Sequence, residues 1–164
     1  FIEIIKKYKI VDDFYFYKKY PSQLIVNFKK TQFLAITQID GFNFYIGSNG
    51  NLIKINNDNI YNLPVIFGNV EVEEFLKFKY LIDGSTFDFN DIKNLYYFKS
   101  KRWDIKTKDG LLLKLPKENL DKSLELFIDI KNKQDLQNVN IIDLRQKNQI
   151  ILNEWFKKKI FFDN

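Results

Sequence analysis

The segment Lys101–Pro116, KRWDIKTKDGLLLKLP, admits few folds. Trp103, Ile105 and Thr107 alternate with Asp104, Lys106 and Lys108, and Leu111, Leu113 and Leu115 alternate with Leu112 and Lys114. A period of two marks a strand with one buried face, because successive side chains leave a strand on opposite sides. Asp109-Gly110 between the runs predicts a type I′ turn, in which both central residues take positive φ, and therefore an antiparallel hairpin. On this reading the lysines are the solvent face of a sheet.

The rest of the chain reads as strands with three helices. Residues 1–9 place Ile2, Ile5 and Tyr8 at helical spacing and predict the end of a helix. A hairpin follows, Val11–Lys19 and Gln23–Lys30, broken by Pro21-Ser22. Leu34–Ile39, Phe42–Ile46 and Leu52–Ile55 are strands, the last two flanking the turn Gly47-Ser48-Asn49-Gly50. Residues 56–61 form a polar loop, and 63–68, LPVIFG, an extended segment closed by Gly68. Asn69 is positioned to cap a helix running to Ile82. Asp91–Phe98 is the next strand. Lys117–Lys131 is an amphipathic helix with the stripe Leu120, Leu124, Phe127 and Ile128. A polar linker (132–138) leads to strands Val139–Leu144 and Gln149–Trp155, then a basic aromatic tail, either a further strand or unstructured. The fold class is α+β, with an antiparallel-rich sheet carrying two helices.

The residue inventory narrows the chemistry. Hydrophobic residues make up 45% of the 164, enough to build a core. There is no Cys and no His, which removes disulfides, thiolate nucleophiles, histidine triads and the common zinc sites. No metal or other cofactor is expected. The six glycines are scattered in turns and form no phosphate loop. The acid pairs Asp12-Asp13, Glu73-Glu74 and Asp88/Asp91 read as solvated surface; a hydrolase would need two acids converging in a cleft. A net charge of +5 is compatible with an anionic partner, but acidic residues are interspersed throughout, and nucleic-acid binding is not expected. No apolar run approaches the roughly 20 residues of a membrane span. A start at Phe1 without Met reads as a fragment, so any membrane anchor is expected upstream.

Arginine occurs twice among many lysines, at Arg102 and Arg145. Its planar five-donor fork does what lysine cannot. Each arginine can stack on an aromatic or hold a carboxylate within the fold, and Arg145 can equally face a partner.

Four motifs stand in a recognisable order: Tyr20-Pro21-Ser22-Gln23-Leu24-Ile25-Val26; Leu63-Pro64-Val65-Ile66-Phe67-Gly68; Arg102-Trp103-Asp104-Ile105 with Asp109-Gly110-Leu111-Leu112-Leu113-Lys114-Leu115; and Ile142-Asp143-Leu144-Arg145. Together they resemble the bacterial cell-division family FtsQ/DivIB, in its alphaproteobacterial form. The resemblance implies a partial POTRA domain at 1–33 (its last helix and hairpin), a β domain at 34–155 and a tail at 156–164. The structural positions of the motif are then Pro21, Pro64, Gly68, Arg102, Trp103, Gly110 and Asp143. It also implies a non-enzymatic divisome scaffold on the periplasmic side of the inner membrane, at the septum, anchored by one membrane helix absent from this chain. The scaffold would bind FtsB and FtsL and regulate septal peptidoglycan synthesis.

In that family a partner strand adds to the last β-domain strand. Carried over, the contact residues are Arg145, Gln146, Ile150, Ile151, Leu152 and Trp155. Such an edge offers unpaired backbone N–H and C=O groups. This chain departs from many relatives in having Gln146 where they have tyrosine, and Lys147-Asn148-Gln149 where they have a glycine turn. The alternative is a POTRA-type interaction module of an outer-membrane assembly or secretion system, which would require further POTRA repeats upstream.

Overall fold

The computed structural model describes residues 7–56, 62–133, 139–146, 149–152 and 158–161. The helix expected near the start falls on residues 1–6, outside the described residues, and Lys7–Ile10 form a turn. The chain divides into two compact units, Phe1–Leu63 and Pro64–Asn164.

In the first unit, β1 (Val11–Lys19) and β2 (Gln23–Lys30) make a two-stranded ribbon, with Phe14 opposite Phe28 and Phe16 opposite Val26. Pro21 lies in the connecting turn, in a cis peptide bond with Tyr20. Much of the ribbon's apolar surface faces outward, including Phe16 (45% exposed) and Phe28 (69%). A meander follows: β3 (Phe33–Ile39), β4 (Phe42–Gly47) and β5 (Leu52–Lys54), all antiparallel. Its first turn is the two-residue Asp40-Gly41, both at positive φ (50° and 78°), as a type I′ turn requires.

The Gly47–Gly50 turn is sewn to the root of the ribbon. Asn49 Nδ2 lies 3.1 Å from the Lys9 carbonyl and 3.3 Å from that of Val11. The Asn49 backbone N–H donates to Thr31 Oγ1, and Ser48 Oγ lies 3.1 Å from the same hydroxyl. Thr31 is buried. A Cβ on Gly47 would stand 2.7 Å from Asn49 Oδ1 and 2.8 Å from Thr31 Oγ1, so the knot is built around a missing side chain.

The second unit is a mixed sheet in the order β12-β11-β10-β9-β8-β7-β6. Its elements are β6 (Val65–Phe67), α1 (Val72–Asp83), β7 (Ile92–Tyr97), β8 (Trp103–Thr107), β9 (Leu112–Lys114), α2 (Leu120–Lys133), β10 (Ile141–Asp143), β11 (Gln149–Leu152) and β12 (Lys158–Phe161). Two pairings are parallel, β6 with β7 and β9 with β10, and each is bridged by one of the helices. Parallel neighbours need such a crossover, whereas the hairpin pairs do not.

One row of the sheet makes the core: Ile66, Leu95, Ile105, Leu113, Ile142 and Leu152 stand side by side across six strands, all buried. Burying each such side chain stabilises by about 1.5–3 kcal/mol. Helix α1 adds Phe75, Phe78 and Ile82, and Phe78 stacks on Trp103 at 4.5 Å between ring centroids. Helix α2 adds Leu120, Leu124, Phe127 and Ile130; the inward residue of the last turn is Ile130 rather than the expected Ile128.

Three local expectations change. The helix expected from Asn69 begins at Val72, with Glu71 at the cap and no side-chain cap bond. Glu73 and Glu74 lie in its first turn, where the helix dipole favours negative charge. Helix α2 begins at Leu120 rather than Lys117, because Asn119 holds a positive φ of 56° that a helix interior does not accept. The β8–β9 turn is not type I′: Gly110 takes φ 97° while Asp109 does not take positive φ, and the Gly110 N–H donates to the Thr107 carbonyl at 3.1 Å. That is a three-residue hairpin loop with glycine in the left-handed position.

Candidate partner-binding edge

The face of the second-unit sheet opposite the buried row carries the polar residues. Phe67, Tyr96, Asp104, Lys114, Asp143 and Ile151 are successive neighbours across six strands. Lys114 therefore stands between two carboxylates, one on each adjacent strand. Each carboxylate also holds an arginine two residues away along its own strand direction, the spacing that returns a side chain to the same face.

Arg102 Nε donates to Asp104 Oδ1 at 3.2 Å, and its guanidinium lies 4.3 Å from the centre of the Phe98 ring. Arg145 Nε donates to Asp143 Oδ1 at 2.8 Å, its Nη2 donates to Oδ2, and its backbone N–H donates to Oδ1 at 3.0 Å. Burial pushes the Asp143 carboxyl up, but the Arg145 side-chain and backbone hydrogen bonds, with help from the charge of Lys114, outweigh it and hold the carboxyl below its ordinary range. The Asp143 hydrogen bonds raise Arg145 in turn, with a further contribution from Asp104. Both arginines thus serve the fold. Arg145 also keeps 39% of its side chain exposed, against 22% for Arg102, so Arg145 has surface left for a partner.

That surface opens on a groove of about 390 Å³ between the first turns of α2 and the β10–β11 turn. Asn119, Lys122, Ser123 and Leu126 line it from the α2 side, and Leu144, Arg145, Gln146 and Gln149 from the β10–β11 side. The single carboxylate in its lining is Glu118. The acid pairs singled out in the sequence stand elsewhere: Asp12, Asp13, Glu73, Asp88 and Asp91 are exposed, and Asp12 pairs with Lys29 at 3.5 Å. Among the described residues no group of three or more acidic, His or Cys side chains is placed to hold a metal ion.

The expected contact residues separate. Arg145 and Gln146 meet at the groove. Ile150 and Leu152 point into the core, 0% and 6% exposed, while Ile151 lies on the polar face and is half-buried. Trp155 lies outside the described residues. The expectation of an open rim on this strand gives way: β11 pairs with β10 on one side and with β12 on the other, from Gln149 opposite Phe161 to Leu152 opposite Lys158. Four residues of the tail, undecided in the sequence, supply that strand.

Several of the motif positions are packed into the fold. Pro64 is buried ahead of β6. Gly68 takes φ 108°, and a Cβ there would stand 2.2 Å from the Tyr97 carbonyl oxygen, so no other residue fits. Trp103 lies between Phe78 and Tyr97.

The family described as "Cell division protein FtsQ/DivIB, C-terminal" matches residues 35–145. The chain belongs to the FtsQ/DivIB family. Among curated FtsQ proteins, that of Rickettsia bellii is 26% identical over 161 residues, covering 92% of this chain and 57% of the relative. The FtsQ of Rhizobium radiobacter is 28% identical over 138 residues, covering 82% of this chain and 66% of the relative. The chain therefore spans little more than half the length of the Rickettsia FtsQ it matches. A solved structure of the major extracytoplasmic domain of DivIB from Geobacillus stearothermophilus, in its trans isomer, aligns at a TM-score of 0.46 and 15% identity, covering 68% of this chain and 98% of that one. The FtsQ/DivIB match takes in Gly68, Trp103, Gly110, Asp143 and Arg145, and it does not favour the secretion-module alternative.

Asp143 is singled out through the family motif, but Asp104 and Lys114 beside it in the row are not, although Arg-x-Asp and Asp-x-Arg announce same-face pairs. The α2 wall of the groove carries no local signal. It is brought to the β10–β11 turn by the crossover between two parallel strands.

Proposed function

We propose that this chain is part of a non-enzymatic scaffold of cell division that pairs with an FtsB-like segment, and through it FtsL, at the carboxy-terminal end of its second-unit sheet, and so regulates septal peptidoglycan synthesis. The observation that carries the reading is the convergence of Arg145 and Gln146 on a groove beside the last strands. A strand-forming segment arriving there gains backbone hydrogen bonds, and the groove selects its side chains. The site lies on the periplasmic side of the inner membrane, as the FtsQ/DivIB resemblance implies. No helix among the described residues is long and apolar enough to cross a membrane. Residues 1–33 are the end of a POTRA domain; the outward apolar face of the ribbon supports this, since a two-stranded ribbon needs cover to be stable.

The test is a titration of the chain with an FtsB-like extracytoplasmic segment. Gln146→Ala leaves the fold untouched and weakens binding about ten-fold, the share of a central contact. Gln38→Ala, on an exposed position of β3, changes nothing. Equal affinity for all three proteins, or no binding by any, refutes the reading.

A further inference from the structure

We propose that β12 is a self-complementing strap: the tail of the chain occupies the free side of β11, and a partner strand binds by displacing it. This rests on the preceding reading of the partner.

The side chains of Ile150 and Leu152 fix β11 in the core, so β11 is a permanent part of the sheet. Its inner side is taken by β10, and its outer side would present a row of unpaired amides and carbonyls on a strongly apolar sequence, Ile150-Ile151-Leu152. Such an edge invites pairing with any exposed strand, including another copy of the chain. Residues 158–161 satisfy it in antiparallel register over four pairs.

The same four pairs make the strap easy to remove. It is short, lies at the end of the sheet and is tied to the unit by pairing on one side only. Terminal elements of this kind open at far lower cost than the whole fold. Its register is only partly matched: position 160, an isoleucine, stands opposite Ile150, but position 159, a lysine, stands opposite Ile151, and position 158, another lysine, stands opposite Leu152. Neither lysine pair matches charge with charge or apolar with apolar, the matches that strengthen cross-strand pairing. A partner segment placing apolar residues at those two positions would pair better. The outer side of β12 is the poorer landing site, because a short strand bearing lysines resists further strand addition.

The strap thus makes binding an exchange. The apparent affinity of the partner is lowered by the fraction of molecules in which β11 is uncovered.

Two variants test this. A chain ending at Lys157 lacks the strap and binds the FtsB-like segment about ten-fold or more tighter than the full chain. The pair Ile151→Cys with Lys159→Cys stands at directly opposed positions in a chain with no native cysteine, so oxidation locks the strap and reduction frees it. The oxidised form binds at least about ten-fold more weakly than the same variant under reductant, which serves as its own reference. If the shortened chain loses binding while the locked one keeps it, the partner builds on the outer side of β12 and the strap is refuted. If both bind like the full chain, it is likewise refuted, with the partner reading intact. If no form binds, including the full chain, the partner reading fails. Should the shortened chain not fold, the reversible lock decides alone.

Discussion

Asp143 Oδ1 accepts two hydrogen bonds from one residue: the backbone N–H of Arg145 at 3.0 Å and its Nε at 2.8 Å. The chain turns out of β10 around this clasp, and Asp143 is nearly buried within it. Arg145→Ala is expected to destabilise the protein by about 1–2 kcal/mol, an interaction with a charged group discounted for the exposed guanidinium. Arg145→Lys recovers less than half, because an ammonium cannot supply the fork. Urea denaturation followed by circular dichroism measures both.

The same pair sets an acid limb. The Asp143 carboxyl in the folded chain lies below its ordinary value of 3.8. Its contribution is therefore complete above that value and is lost as the pH falls through the lower, folded one. Between about pH 5 and pH 2 the stability of Asp143→Asn should fall less steeply than that of the parent chain. Parallel acid limbs for the two proteins would contradict this.

Gly68→Ala places a methyl group against the Tyr97 carbonyl in a backbone conformation that alanine avoids. The expected cost is about 3 kcal/mol or more, since the obstacle is main chain and cannot turn aside. Gly41→Ala is the comparison: its φ is also positive, but no atom lies within 4 Å of the added carbon. It should cost about 1 kcal/mol, from backbone strain alone. Thermal melts of the two variants should separate clearly.

Trp103→Ala removes the ring between Phe78 and Tyr97 and is expected to cost about 3–5 kcal/mol. Trp103→Phe keeps a stacking surface and should lose less than half as much. Chemical denaturation distinguishes the two.

Asn49→Ala removes the amide that reaches both Lys9 and Val11. A loss of about 1–2 kcal/mol is expected, confined to the first unit. Amide hydrogen exchange should quicken at Val11, Thr31 and Asn51 and stay unchanged at Ile105 and Leu113.

The sequence carried the strands well because nearly all have a half-buried face, as in Trp103–Thr107, where period two is unambiguous. It carried turn geometry less well. Asp40-Gly41 and Asp109-Gly110 are the same dipeptide, yet only the first makes a type I′ turn. The difference is where pairing stops. Ile39 pairs directly with Phe42, whereas the register of β8 and β9 ends at Lys106 opposite Leu112. Thr107 then holds the loop by bonding Leu111 with its hydroxyl as well as its backbone. Arg145 and Gln146 are legible as contact residues only through the resemblance to the FtsQ/DivIB family, since no local pattern in their turn marks a contact residue. The closure of β11 by residues 158–161 is not legible, because Lys-Lys-Ile-Phe has no alternation long enough to declare a strand.

The knot of Thr31, Ser48 and Asn49 has a mechanical consequence. Lys9 and Val11 at the head of the ribbon, and Thr31 and Gln32 at its foot, are all fastened to one turn of the meander. A tug on the ribbon tip at Tyr20 is therefore transmitted to β4 and β5 as torque on a stiff joint, where two untethered linker residues would have let the arm swivel.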